Sequence, residues 1–229
     1  MQSIDISTTY LTVKRQIAAA EATYARAPGS VQLLAVSKKQ PLEKIHALAK
    51  LGQRDFGESY VQEALLKINA LSDLAITWHF IGPIQSNKTK AIAQHFHWVH
   101  SVHRLAIAQR LSRQRSPELP PLNICLQANI SAEASKSGFP PEQILSAAKN
   151  IHTLPNLTLR GLMVIPAAVT DINAQRQQFR QAKTLYQALQ NTCPGIDTLS
   201  MGMSADMQAA IAEHSNWIRL GTALFGPRE

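Results

Sequence analysis

Residues 31–59 read VQLLAVSKKQPLEKIHALAKLGQRDFGES. The first eight residues form a short run whose continuous apolar centre suits a strand buried on both faces. Residues 42–51 carry Ile45, Leu48 and Ala49 on one stripe at helical spacing, and RDFGES is a second strand-like run. Strand, amphipathic helix and strand within about thirty residues describe a βαβ unit, which joins two parallel strands.

The same alternation continues outward. TWHFIG, HWVHSV, LNICLQANIS, LTLRGLMVIP, IDTLSMG and WIRLGTALFG bring the candidate strands to about eight. Helix candidates lie between them at 60–71, 86–95, 103–113, 141–152, 174–192 and 204–213, and a further helix at 7–25 precedes the first strand. Residues 60–71 place Val61, Ala64, Leu65 and Ile68 in register. Residues 174–192 do the same with Phe179, Ala182, Leu185, Tyr186 and Leu189, and Pro141 suits a first helical turn. Eight strands alternating with helices predict an α/β fold, a closed (β/α)₈ barrel with an extra N-terminal helix, rather than an open doubly wound sheet. SPELPP at 116–121 reads as a loop into the fifth strand, so residues 1–229 are expected to form one domain.

The chain has 229 residues, 45% of them hydrophobic, enough for a sizeable core. MQSIDISTTYLTVKRQ has no apolar h-region, and no stretch approaches the roughly 18 apolar residues of a membrane span. Cys125 and Cys193 lack the C-x-x-C spacing, which argues against a disulfide framework or a zinc site and leaves them as ordinary thiols. A soluble, cytoplasmic protein is expected, without a membrane partner. The formal net charge of +8 invites a nucleic-acid reading. Against it, the basic residues are spread over the whole length, and the 6% of aromatic residues are not interleaved with them as a base-stacking platform requires. A solvated basic surface is the simpler account, although a positive field also draws in anionic small ligands.

Barrel sites are built where strands end. The first strand ends at Ser37–Lys38–Lys39. An ammonium after an apolar run is either snorkelling to solvent or desolvated toward its nucleophilic amine form, the form a Schiff-base lysine needs. Residue type alone leaves Lys38 and Lys39 both open. SMGMSADM ends the seventh strand with Gly202 and then Met203 and Ser204, the latter at an expected helix N-cap. RLGTALFG brings Gly221 and Thr222 to the end of the eighth. These two loops are where barrels often bind phosphate, through backbone N–H groups and hydroxyls. Arg219, just before that cup, either faces a ligand or pairs with an acid such as Asp55 or Glu58. His79 reads as a hydrogen-bonded histidine at the core edge or an acid/base.

The motifs LLAVSK, DFGESYVQEALLKI, WHFIGPIQSNKTK, NISAEASKSGF, LRGLMVIP, LSMGMSADMQAAI and RLGTALFG, in that order, resemble the pyridoxal phosphate homeostasis protein family. The resemblance covers nearly the whole chain. It implies a barrel like that of alanine racemase and a pyridoxal 5'-phosphate cofactor held as a Schiff base on Lys38. It implicates Met203, Ser204, Gly221 and Thr222 in holding the phosphate, and Arg219 in facing the pyridine nitrogen. Lys136 matches a lysine proposed in relatives to take part in cofactor transfer. Three departures stand out. Ser59 replaces the usual asparagine and is shorter and without the amide donor, so a polar contact to the cofactor there is lost or mediated by water. Lys39 stands where many members have threonine, and the sequence ends at FGPRE, without the basic tail of some relatives.

The resemblance implies storage, buffering or delivery of pyridoxal phosphate, with apo-enzymes as possible recipients. Two enzymes are alternatives. A racemase-like enzyme needs a proton donor or acceptor on each face of the substrate α-carbon, and Tyr10, Tyr60 and Tyr186 all fall on predicted helices. A barrel acting on a phosphorylated metabolite would recruit Glu58, His79 or Lys38. No heptad seam is present, and a monomer is expected.

Overall fold

A computed structural model describes residues 5–131, 133 and 136–226. The end of FGPRE and part of NISAEASKSGF lie outside the described residues. The strands are β1 (Gln32–Val36), β2 (Asp55–Glu58), β3 (Thr77–Phe80), β4 (Trp98–Val102), β5 (Leu122–Ala128), β6 (Leu157–Val164), β7 (Thr198–Ser200) and β8 (Trp217–Leu220). They pair in parallel in sequence order, and β8 returns to β1 with Leu34 opposite Arg219 and Ala35 opposite Leu220, closing the barrel. The helices are α1 (Ile6–Thr23), α2 (Leu42–Lys50), α3 (Val61–Ala70), α4 (Thr89–His95), α5 (Leu105–Gln114), α6 (Ile144–His152), α7 (Ile172–Thr192), α8 (Met207–Ala212) and α9 (Thr222–Phe225). The barrel read from the sequence is therefore the observed fold, with the helix before it in place as α1.

The period-2 alternation of each strand sorts its side chains. Phe56, Trp78, Phe80, Val99, Ile124, Leu126, Leu162, Ile218 and Leu220 pack outward against Ile45, Leu48, Ile92, Ile107, Leu111 and Phe179 of the helices. The intervening residues face the bore. There Trp98, Cys125 and Met163 form a separate small cluster, and His79, His100, Ser200 and Arg219 are all buried. Cys125 and Cys193 are both buried and unpaired.

Three local readings are corrected. The eighth strand stops at Leu220, and TALF forms α9, because Gly221 turns the chain at its N-cap. The helix expected from residue 204 begins at Met207 with Asp206 at its N-cap, so Ser204 belongs to the preceding turn. Asp206 displaces it because its carboxylate accepts the Met203 N–H and closes that turn. Pro141 opens a short 3₁₀ turn, Pro141–Gln143, ahead of α6.

α1 buries Tyr10, Val13, Ile17 and Ala20 and fastens the β8–β1 seam. Thr9 Oγ1 donates to Leu224 O (2.8 Å), and Arg26 donates to Ile211 O and Ser215 O (both 3.0 Å). The buried Glu21 carboxylate accepts the N–H groups of Gly29 (3.0 Å) and Val31 (2.8 Å), fixing the entry into β1. Glu21→Ala leaves both donors without this acceptor. We expect a loss of about 1–3 kcal/mol in urea unfolding, the cost of stranding the buried Val31 N–H, since Gly29 is exposed and its N–H can turn to water.

Candidate functional site

At the C-terminal mouth of the barrel a cavity of about 310 Å³ is lined by Val36, Lys38, Ile81, Ile165, the turn Met203–Ser204–Ala205, Arg219 and the pair Gly221–Thr222. Six of the seven residues picked from the sequence thus meet in one cavity. Ser59 does not line it. Its backbone is packed so closely on Gly82 that a Cβ there would lie 2.2 Å from Ser59 O, and it lines a neighbouring cavity with Tyr60 and Lys88. Tyr60 stands one residue before α3 and is exposed, not packed on the helix.

Lys38 is half-buried and Lys39 is exposed. The turn that carries them is held by a buried ion cluster. Lys67, from α3, donates to Ser37 O (2.7 Å), Glu58 Oε1 (2.8 Å) and Glu63 Oε1 (2.6 Å). Ser37 Oγ also donates to Glu58 Oε1 (2.6 Å), and the Lys39 N–H donates to Glu63 Oε1. Lys39 takes a left-handed backbone (φ 59°), uncommon for a residue with a Cβ, so Lys38 sits on a tight, clamped bend. Burial pushes the Glu58 carboxyl above its ordinary range despite Lys67, and its Oε2 has no hydrogen-bond partner among the described residues.

The opposite wall comes from the ends of β7 and β8. Gly202 adopts φ 96°, and a Cβ there would lie 2.5 Å from the Ala210 Cβ, so this turn requires glycine. At Gly221 a Cβ would stand 3.3 Å from Val36 O, against the cavity wall. The first turn of α9 leaves N–H groups without intrahelical acceptors beside the Thr222 hydroxyl. Arg219 is buried and pairs with neither Asp55 nor Glu58. It donates to Ser200 Oγ and Val164 O, both at 3.0 Å. Burial lowers its pKa to about 10, which still leaves a cation at neutral pH. A cation, a lysine and N–H groups without intrahelical acceptors, set among the apolar side chains of Val36, Ile81 and Ile165, suit a flat, anionic ligand bearing a phosphate.

Ile81 and Ile165 also line a second cavity of about 200 Å³ with Gln127, Asn129, Lys136 and Ser137. Lys136 Nζ donates to Pro166 O (2.9 Å) and pairs with Glu133 (2.8 Å). It therefore adjoins the Lys38 cavity without lining it. His79 is fully buried in the bore, bonded to Asp55 and His100.

Sequence reasoning did not find Lys67, Glu63, His100 or Ser200. Two signals were available. Glu63 and Lys67 have the i,i+4 spacing of a helical ion pair. His79, His100, Ser200 and Arg219 are polar residues alternating with apolar ones in runs that are otherwise core.

The model of the family described as alanine racemase, N-terminal domain, matches residues 14–229. A pyridoxal phosphate homeostasis protein of Pseudomonas aeruginosa is 56% identical over 204 residues, 89% of this chain and 87% of the relative. One of Vibrio cholerae is 52% identical, covering 100% and 98%. PipY of Synechococcus elongatus, whose structures are described as with and without pyridoxal phosphate bound, superposes with TM-score 0.80 at 40% identity, covering 92% of this chain and 100% of that one. An alanine racemase of Clostridium difficile shares the fold at TM-score 0.72 and 14% identity, over 92% of this chain and 56% of its own.

The clamp on Lys38 is testable without any ligand. Lys67→Met removes one partner of a fully buried pair, and we expect about 3–5 kcal/mol of destabilisation in urea unfolding.

Proposed function

The chain belongs to the pyridoxal phosphate homeostasis proteins, within the alanine racemase N-terminal domain family, and on that premise we propose that it holds pyridoxal 5'-phosphate in the Lys38 cavity and regulates its free level or delivery to apo-enzymes. The observation that carries this reading is the convergence of Lys38, Arg219, Ser204 and Gly221–Thr222, from opposite ends of the chain, on one cavity. The residues fit the group. Gly221 leaves the wall open where a Cβ would narrow it, and the N–H groups and Thr222 hydroxyl suit phosphate oxygens.

In this reading Lys38 would hold the cofactor through its amine as a Schiff base, the turn Met203–Ser204–Ala205 and the pair Gly221–Thr222 would hold the phosphate, and Arg219 would face the pyridine nitrogen. The bound group supplies an electrophilic carbon and an electron-withdrawing ring. An always-charged arginine beside the ring nitrogen disfavours its protonation and weakens the ring as an electron sink. Holding the cofactor, rather than turning over an amino acid, has a second support. Apart from Lys38 and Arg219, the described residues lining the cavity carry no titratable side chain, whereas racemisation needs an acid/base on each substrate face.

The test is visible absorption of the purified protein incubated with pyridoxal phosphate, before and after borohydride reduction, followed by peptide mapping. We expect a yellow protein whose reduced adduct maps to Lys38 and is lost in Lys38→Ala. An adduct that survives moves the attachment to Lys39 or Lys136, and a protein that stays colourless defeats the proposal. Ser204→Ala is expected to weaken retention by about 1 kcal/mol, one neutral hydrogen bond.

A further inference from the structure

Below the cavity floor, a chain of hydrogen bonds runs through the bore from β8 to β2. Arg219 Nη1 donates to Ser200 Oγ at 3.0 Å. Ser200 Oγ lies 2.9 Å from His100 Nδ1, and His100 Nε2 lies 2.9 Å from His79 Nδ1. His79 Nε2 lies 3.0 Å from Asp55 Oδ1. The path crosses the bore from β7 to β4 and then follows adjacent strands. Its inner members are buried, and only Asp55, at the opposite end of the barrel, keeps a partly exposed side chain (26%).

The proton on every link follows from the two ends. A guanidinium has only donors and a carboxylate only acceptors. Burial drives both imidazoles below the usual histidine range, so each carries one ring proton. Asp55 then takes the His79 Nε2 proton, which leaves His79 Nδ1 as an acceptor. His100 must therefore donate from Nε2, and its Nδ1 accepts the Ser200 hydroxyl proton. Ser200 is left with lone pairs toward Arg219, which donates. Every donor points from the cavity toward Asp55. In the reverse order, Ser200 would receive N–H groups from both Arg219 and His100, and its own proton would have no acceptor in the chain.

We propose that Asp55, His79, His100 and Ser200 form a one-way hydrogen-bond relay that positions the Arg219 guanidinium against the Lys38 cavity, anchored at its far end on the Asp55 carboxylate. The aligned dipoles place a negative end toward Arg219 although the two charges never touch, and aligned bonds strengthen one another in a low-dielectric interior. With Ser200 and Val164 O holding one edge of the fork, the remaining N–H groups are oriented for a ligand. These four are positioning residues. None of them lines the cavity.

The relay is tested first in protein free of cofactor. Histidine-detected ¹⁵N NMR at neutral pH, with signals assigned through His79→Gln and His100→Gln, is expected to show both rings as neutral Nε2–H tautomers. An Nδ1–H tautomer or an imidazolium at either ring overturns the relay. Asp55→Leu removes the acceptor of the His79 Nε2–H and should shift that nitrogen's resonance, and Asp55→Asn, whose amide oxygen still accepts, should restore it. An unchanged His79 Nε2 resonance in Asp55→Leu counts against the proposal. If the leucine variant does not fold, Ser200→Ala alone decides, because it frees His100 Nδ1 and should shift that ring's nitrogen resonances. The second arm rests on the cofactor reading. Ser200→Ala is expected to weaken pyridoxal phosphate binding about tenfold, the scale of a charge-assisted hydrogen bond. Asp55→Leu should weaken binding in the wild-type background but add nothing to Ser200→Ala, and strictly additive effects reject the relay. A wild-type protein that takes up no pyridoxal phosphate overturns the functional reading, and the tautomers then judge the relay by themselves.

Discussion

The parallel pairing of Gln32–Ala35 with Trp217–Leu220 closes the barrel and in the same act assembles the site, because it lays the two ends of the sequence side by side. Lys38 follows one of these strands, and Gly221 and Thr222 follow the other. The register matters as much as the pairing. A slip of one residue would turn Arg219 toward the helices and Leu220 into the bore. α1, through Thr9 and Glu21, and the turn after it, through Arg26, reinforce that seam from outside. The extra helix therefore contributes to function by holding the register on which the cavity depends.

Barrels of this type commonly fill the bore with branched apolar side chains. Here the middle of the bore carries two histidines, a serine and an arginine. Burying such groups is costly unless each finds a partner, and the single direction of donors gives each link one. Nearer the mouth, Glu58 Oε2 is one of the buried oxygens without a partner among the described residues. That oxygen belongs to the cluster under Lys38, where rigidity of the bend is obtained with a charge pair rather than with apolar packing.

Much of this was legible in the sequence. The strand and helix periodicities gave the barrel order, and the strand ends at Lys38, Met203, Arg219 and Gly221 gave most of the cavity. What failed was local. Ser204 has the composition of an N-cap, but Asp206 competes with a carboxylate that closes the turn onto Met203. TALF looks like strand because its residues are apolar, yet Gly221 ends the ladder before it. Ser59 lines a neighbouring cavity rather than that of Lys38, its backbone packed closely on Gly82. The relay was illegible for a different reason. His100 and Ser200 are a hundred residues apart, and only the curvature of a closed sheet sets their side chains 2.9 Å apart.

The aromatic residues around the histidines give the bore an optical character. The chain has three tryptophans, and Trp98 and Trp217 lie with ring centroids 5.7 Å apart beside His79, whose ring stacks on Trp98 at 5.5 Å and 9°. Arg160 lies over the other approach to Trp98, 4.7 Å from its ring. Indole emission is sensitive to the charge and polarity of whatever touches the ring. Two of the protein's three indoles thus lie at the far end of the barrel from the cavity, and in a Trp78→Phe variant, which removes the outward-packed third, the intrinsic emission would report on the bore without an added label.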